Sequence, residues 1–140
     1  MLNEYENTVD DRIPPGSIIY HKQRDFVLFS TKKRVDAAPT AFSAFEDFGI
    51  KVYLTKNYYV LPKQQVFAKD VLQHCLWVLE TDFSVQLVLF TAIFYRKTGD
   101  YIEHPIINTI DAVLAGKTVP RYPKKQEIVE RARLYGVDIE

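Results

Sequence analysis

The sequence predicts an α+β fold: a small antiparallel sheet with one short helix in residues 17–62, followed by a four-helix region in residues 64–136. In the first half, short apolar runs are bounded by turn residues, whereas in the second half apolar residues recur at helical spacing. Strands and helices that occupy separate parts of a chain are typical of α+β folds, because a parallel α/β sheet would alternate the two.

The chain is expected to consist of a flexible acidic arm, residues 1–13, and a single α+β domain, residues 14–140. Four acidic residues and one cation lie in the arm, with little that could pack in a core: Glu4, Glu6, Asp10, Asp11 and Arg12. The Pro-Pro-Gly sequence at 14–16 predicts a tight turn. The domain is therefore expected to begin at that turn.

Two strands are predicted at the start of the domain, at residues 17–20 and 25–31, with a polar loop at residues 21–24 between them. A short helix is predicted over residues 41–48, with Thr40 as its N-terminal cap and Gly49 as its stop. Its three phenylalanines recur every third position and should share the core face: Phe42, Phe45 and Phe48.

A hairpin is predicted next, from residues 50–54 and 58–61, around a loop in which Asn57 can adopt the left-handed conformation. Pro62 ends this region, and the apolar spacing then becomes helical. Four helices are predicted after it, each with a cap or stop signal: residues 66–80, 83–97, 106–115 and 124–135.

The predicted helix over residues 83–97 is apolar around most of its circumference and too short to span a membrane. Such a helix is typical either of the buried centre of a domain or of one half of a helical interface. For the second case we expect four residues to form the contact with a partner: Phe83, Leu87, Phe90 and Phe94.

Composition excludes several classes of function. The 18 Lys and Arg balance the 18 Asp and Glu, so no global field favours nucleic acid, membrane or an acidic partner. The single cysteine cannot form an internal disulfide, and Cys75 falls on an apolar stripe where a thiol is inert. The N-terminus is acidic where a signal peptide would be basic, so a cytoplasmic protein without a membrane partner is expected.

No catalytic, cofactor-binding or metal-binding residue is predicted. The three histidines, at 21, 74 and 104, have no metal-ligand spacing, and the five glycines are isolated rather than grouped in a phosphate loop. No cofactor is therefore expected. A small enzyme whose site gathers His104 with carboxylates from distant parts of the chain is a remaining alternative.

Charge is uneven along the chain despite the neutral total. Residues 20–34 and residues 117–133 each carry a net charge of +4. If both clusters meet on one face, they could bind nucleic-acid phosphates, and the acidic arm could compete for them. The candidate nucleic-acid-binding residues are Lys32, Lys33, Arg34, Lys117, Arg121, Lys124, Lys125, Arg131 and Arg133.

Residues 49–137 also carry a resemblance, in three short segments: Tyr-Val-Leu-Pro at 59–62, Asp-Val-Leu at 70–72 and Arg-Ala-Arg-Leu-Tyr-Gly-Val at 131–137. With the order of elements, they resemble the C-terminal domain of AbiEi-type antitoxin and transcriptional regulators, archaeal ones in particular. The DNA-binding winged helix of those regulators has no counterpart in these residues. The resemblance implies a regulatory or partner-binding module and carries over no site residue.

These observations favour a non-enzymatic regulatory or protein-interaction module, antitoxin-like or part of a transcriptional regulator. Its partner would be another protein or a second copy of the chain in a homodimer. The first alternative is a nucleic-acid-binding protein that uses the two basic clusters, and the second is the small enzyme described above.

Overall fold

Four strands form one antiparallel sheet in the spatial order β1-β2-β4-β3 in the computed structural model, which describes residues 12–139. The strands are β1 (Ile18–Gln23), β2 (Phe26–Thr31), β3 (Ala38–Pro39) and β4 (Asn57–Leu61). All of them precede the four α-helices, so the predicted α+β class is confirmed. Most of the predicted arm lies outside the described residues.

Strand β1 is longer than predicted. It continues through the segment at 21–23 that was expected to be a loop, and only Arg24 and Asp25 turn the chain into β2. The pairing of β1 with β2 shifts register between Ile19 and His21, which marks a β-bulge. That extra residue breaks the alternation of apolar and polar side chains, so the pattern of these residues is typical of a loop.

The predicted strand at residues 50–54 is wrong, because these residues have no strand pairing. Strand β4 pairs with β2 on one side and with β3 on the other, so neither of its edges is open to a further strand. The neighbour that replaces the predicted one is the two-residue strand Ala38–Pro39. Its composition gives no strand signal, since proline is tolerated only at the edge of a sheet.

The short helix Ala41–Phe48 is a 3₁₀ helix. A 3₁₀ helix has three residues per turn, so side chains three positions apart lie above one another. This geometry explains why the phenylalanines recur at every third position. Gly49 ends it with a φ of +82°, as predicted. Thr40 does not cap it with its side chain, and its hydroxyl instead shares a hydrogen bond with Nδ1 of His74.

Four α-helices follow: α1 (Ala68–Thr81), α2 (Val85–Thr98), α3 (Pro105–Leu114) and α4 (Lys125–Arg133). Helix α2 begins later than predicted because Ser84 supplies its cap, accepting the Leu87 N–H at 3.1 Å. His104 caps α3 in the same way, through Nδ1 and the Ile106 N–H at 3.1 Å. None of these helices within residues 12–139 is long and apolar enough to cross a membrane.

The main core lies between one face of the sheet, the 3₁₀ helix and the helices. Residues 88–94 of α2 are all buried, as in the first of the two cases given for this helix, the buried centre of a domain. Phe45 of the 3₁₀ helix stacks on Phe94 of α2 with ring centroids 4.6 Å apart, and Phe42 meets Tyr58 of β4 at 5.3 Å. These rings join the sheet to the helical half of the chain.

We expect Phe45→Ala to lower the free energy of unfolding by about 3–5 kcal/mol, because it opens a cavity where the two halves meet. Phe67→Ala is the matched control: Phe67 is 61% exposed, and its replacement should change stability by no more than about 0.5 kcal/mol. Urea unfolding followed by circular dichroism measures both values. Equal losses for the two variants would contradict the assignment of Phe45 to the core.

Candidate functional site

The turn between α3 and α4 holds Arg121 in an unusual backbone conformation. The Val119 carbonyl accepts the Tyr122 N–H at 3.1 Å, which closes a four-residue turn with Pro120 and Arg121 at its centre. Arg121 has a φ of +70°. This is the third position of a type II turn, where a positive φ favours glycine or asparagine over a long side chain. We call residues 119–123 the arginine turn.

The side chain of Arg121 lies over an aromatic platform. Its guanidinium carbon is 5.0 Å from the centre of the Phe83 ring, and the Phe83 ring in turn meets Tyr122 edge-on at 5.3 Å. A cation–π contact at an exposed site contributes about 0.5–1 kcal/mol, whereas a positive φ in an L-residue costs about 1–2 kcal/mol. The contact therefore does not outweigh the strain, and stability alone gives no reason for arginine at this position.

The remaining cations of the second predicted cluster surround this turn along the chain. Lys117 and Lys124 flank it and are exposed, whereas Lys125 and Arg131 on α4 are half-buried and Arg133 is exposed. None of the nine predicted phosphate-binding residues forms an ion pair with another residue in the range 12–139. Their charges are therefore not neutralised by a carboxylate of that part of the chain.

Two residues of the first predicted cluster line a hollow of about 230 Å³ at the end of β2. Lys32 and Lys33 line it together with Ser30, Thr31 and Lys56. Thr31 Oγ1 accepts the backbone N–H of Lys33 at 3.2 Å, so its own O–H is left to donate. We call this site the lysine hollow. Arg34 is exposed beyond it and is not one of its lining residues.

Lys56 is a functional candidate that the sequence analysis missed, since it stands alone in a loop and belongs to neither basic cluster. Its ammonium forms an ion pair with Asp82 at 3.3 Å, and only 22% of its side chain is exposed. Burial opposes the charge of Lys56, but Tyr20 and Asp82 outweigh burial and raise its pKa. The residue is therefore a cation at neutral pH.

The ion pair of Lys56 connects the two basic regions. Lys56 lies in the wall of the lysine hollow, and its partner Asp82 immediately precedes Phe83, which carries Arg121. The lysine hollow and the arginine turn are thus linked by this ion pair, by the peptide bond between Asp82 and Phe83, and by the cation–π contact of Arg121. We call the two sites together the basic face.

The predicted interface residues divide into two groups. Phe90 and Phe94 are 3% and 0% exposed and belong to the core of this chain, so they have no surface to offer a partner. Their burial has a simple cause, since Phe45 and Phe48 pack on Phe94 from the 3₁₀ helix. Phe83 and Leu87 are half-buried at the start of α2.

A stack of aromatic rings attaches β1 to α1. His21 lies flat on Trp77 with ring centroids 3.7 Å apart, and the His74 ring lies 5.5 Å from Trp77 at an interplanar angle of 18°. His74 is buried, which lowers its pKa from 6.5 to about 4. Burial dominates this shift, with His21 adding to it and Asp70 opposing it. His74 is therefore neutral at pH 7.

Two further reactive side chains, Cys75 and His104, are buried or hydrogen-bonded within the fold. Cys75 is fully buried, and its burial raises the pKa of the thiol. His104 uses both ring nitrogens structurally: Nδ1 caps α3, and Nε2–H donates to Glu80 at 2.7 Å. In the part of the chain that the structure describes, no three His, Cys, Asp or Glu side chains come together in a group that could hold a metal.

The chain matches no family model, no curated protein and no solved structure. The likeness to AbiEi-type regulators therefore stays a prediction.

We expect the free energy of unfolding to fall by about 3 kcal/mol between pH 6.5 and pH 4 through His74 alone. The unfolded chain takes up this proton near pH 6.5 and the folded chain only near pH 4, so stability is complete above pH 6.5 and falls as the pH drops. His74→Asn keeps a hydrogen-bonding group near Thr40 and does not titrate. Urea unfolding at several pH values should show a flatter profile for this variant, and an unchanged slope would contradict the assignment.

Two uncharged replacements of Arg121 together measure the backbone strain of the arginine turn. Arg121→Ala keeps the positive φ and loses the contact with Phe83, whereas Arg121→Gly loses the contact but relieves the strain. The glycine variant should therefore be more stable than the alanine variant by about 0.5–1 kcal/mol. Thermal unfolding measures the difference, and an alanine variant as stable as the glycine variant would show that the turn is not strained.

Proposed function

We propose that this domain binds the phosphates of nucleic acid through the basic face. The observation that carries the proposal is Arg121, a cation kept in a strained turn over Phe83 without a carboxylate partner among the described residues. Strained conformations of this kind concentrate at binding and catalytic sites. Phosphate binding would explain an arginine at this position, whereas stability does not. A guanidinium can donate two parallel hydrogen bonds to one phosphate group.

The distribution of charge supports a polyanionic ligand. Residues 20–34 and residues 117–133 each carry a net charge of +4, although the chain as a whole is neutral. Positive charge is thus concentrated in the two segments that contain Lys32, Lys33 and the arginine turn. A ligand that spans both the lysine hollow and the arginine turn has to carry several phosphates, which favours a polynucleotide over a small anion.

Contacts to phosphates would give affinity without sequence recognition. Base-specific readout in a duplex needs a helix or ribbon with Arg, Asn or Gln directed into the major groove. The cations of the basic face lie instead in the loop after β2, in the loop before β4 and at the arginine turn. We therefore propose binding that depends strongly on salt and weakly on sequence, as a component of a regulatory protein.

The second candidate function is the protein-interaction module, including a homodimer. It is favoured by the start of α2, where Val85 is 45% exposed and Phe83 and Leu87 are half-buried. This contact would be smaller than one made by the whole helix. Light scattering at several protein concentrations tests it, because a dimer should dissociate more readily when Val85 and Leu87 are replaced by serine.

We expect labelled single-stranded DNA of about 20 nucleotides to bind with an affinity that falls steeply with salt, at a logarithmic slope of about −0.7 for each phosphate contacted. Arg121→Gly should weaken binding and reduce the slope by about one phosphate contact. Fluorescence anisotropy from low to moderate salt measures both quantities. A duplex of the same length is measured in parallel.

The matched control is Arg96→Ala, which removes one exposed cation at the other end of α2. At 1.5 Å per residue, this position lies about 20 Å along the helix from Phe83. Its affinity and slope should stay close to those of the unaltered chain. The proposal is wrong if no DNA binds at low salt, or if the two variants weaken binding equally.

A further inference from the structure

We propose that the basic face holds one nucleotide of a single-stranded nucleic acid in two neighbouring hollows, with the phosphate in the lysine hollow and the base against Tyr53. This inference rests on the proposed function and adds the form of nucleic acid and the place of the base. Its starting observation is that Lys56 lines two separate hollows, so they adjoin at one side chain.

The second hollow has a volume of about 290 Å³ and a different chemical character. Its rim carries Tyr53, whose side chain is 87% exposed and the most exposed of the large apolar residues in the part described. Leu87 contributes an apolar wall, and Thr55 and Gln86 contribute a hydroxyl and an amide. We call it the tyrosine hollow.

These groups fit a nucleobase better than another ligand class. A base is flat and stacks on an aromatic ring, and its edge needs hydrogen-bond donors and acceptors. The exposed amide of Gln86 and hydroxyl of Thr55 have no hydrogen-bond partner within residues 12–139, so they are available to such an edge. Tyr53 is able to stack because little of its ring is covered by the chain itself.

The charged residues of the two hollows determine which end of a bound nucleotide lies in which hollow. Lys32 and Lys33 are on the far side of Lys56, in the lysine hollow, where they attract a phosphate. The carboxylate of Asp82 lies in the tyrosine hollow, 44% exposed, where it repels a phosphate and can accept an N–H from a base. Lys56 stands between the two, paired with Asp82.

The same geometry favours a single strand over a duplex. In a duplex each base is stacked between its neighbours, and its Watson–Crick edge is already paired. Tyr53 could reach a base only after that base had left the stack, which costs a few kcal/mol. Bases of a single strand are free to stack on an exposed aromatic side chain.

The test measures how Tyr53→Ser and the double variant Lys32→Gln, Lys33→Gln bind an oligothymidylate of about 12 nucleotides, the corresponding duplex and thymidine 5′-monophosphate. Stacking on one aromatic ring contributes about 1–3 kcal/mol, so Tyr53→Ser should weaken the single strand by about fivefold or more and leave the duplex unchanged. The double variant should weaken both polynucleotides. Fluorescence anisotropy measures the affinities.

Tyr101→Ser is the matched control. Tyr101 is also an exposed tyrosine, but it donates a hydrogen bond to Glu103 at 2.8 Å, and that carboxylate disfavours a strand. Its replacement should not change the binding of the oligothymidylate. Circular dichroism of all variants confirms that they are folded, as the exposure of Tyr53 leads us to expect.

The outcomes separate this inference from the proposed function. If the chain binds DNA and Arg121→Gly weakens it, but Tyr53→Ser binds the single strand as tightly as the unaltered chain, the nucleotide site is wrong and phosphate binding stands. If no polynucleotide binds but thymidine 5′-monophosphate shifts the amide resonances of Tyr53, Lys56 and Gln86, the two hollows are a site for a free nucleotide and the proposed function fails. If neither ligand binds, both proposals are wrong.

Discussion

The stack of Phe45 on Phe94 is the contact on which the rest of the structure depends. The 3₁₀ helix that carries Phe45 lies between the sheet and α2, and its rings are buried on both sides. Because this short helix ends at Gly49, the chain returns to β4 through residues 50–56, the loop that bears Tyr53 and Lys56. The aromatic core therefore fixes where that loop lies relative to the start of α2.

An ion pair between Lys56 and Asp82 also joins the sheet half of the chain to the helical half, at the surface. Lys56 belongs to the sheet half of the chain and Asp82 to the helical half, whereas the other two ion pairs among residues 12–139 each stay within one half. An exposed ion pair alone stabilises a fold little. The value of Lys56 lies in its position, since the lysine hollow, the tyrosine hollow and the start of α2 all meet there.

Sequence patterns predicted the secondary-structure elements that are long and periodic. They failed where strand formation depends on pairing with a strand from another part of the chain. The helices and β2 follow from apolar spacing, but β3 is two residues of poor strand formers, and residues 50–54 alternate like a strand without an edge to pair with. At the site, clustered cations were recognisable by their number. Lys56 and Tyr53 were not, since each is an isolated loop residue whose neighbours come from distant parts of the chain. The positive φ of Arg121 could not be foreseen, because glycine is the residue expected there.

The bulge in β1 has a consequence for the behaviour of the protein at high concentration. Within residues 12–139, β1 pairs only with β2, and Ile18 and Ile19 are 39% and 46% exposed on it. A flat, regular edge with exposed isoleucines would be a template for edge-to-edge aggregation. The register shift after Ile19 interrupts the row of free N–H and C=O groups, so another chain cannot continue the ladder along the whole strand. The β-bulge that makes β1 hard to recognise in the sequence thus also disfavours edge-to-edge association of β1 with another chain.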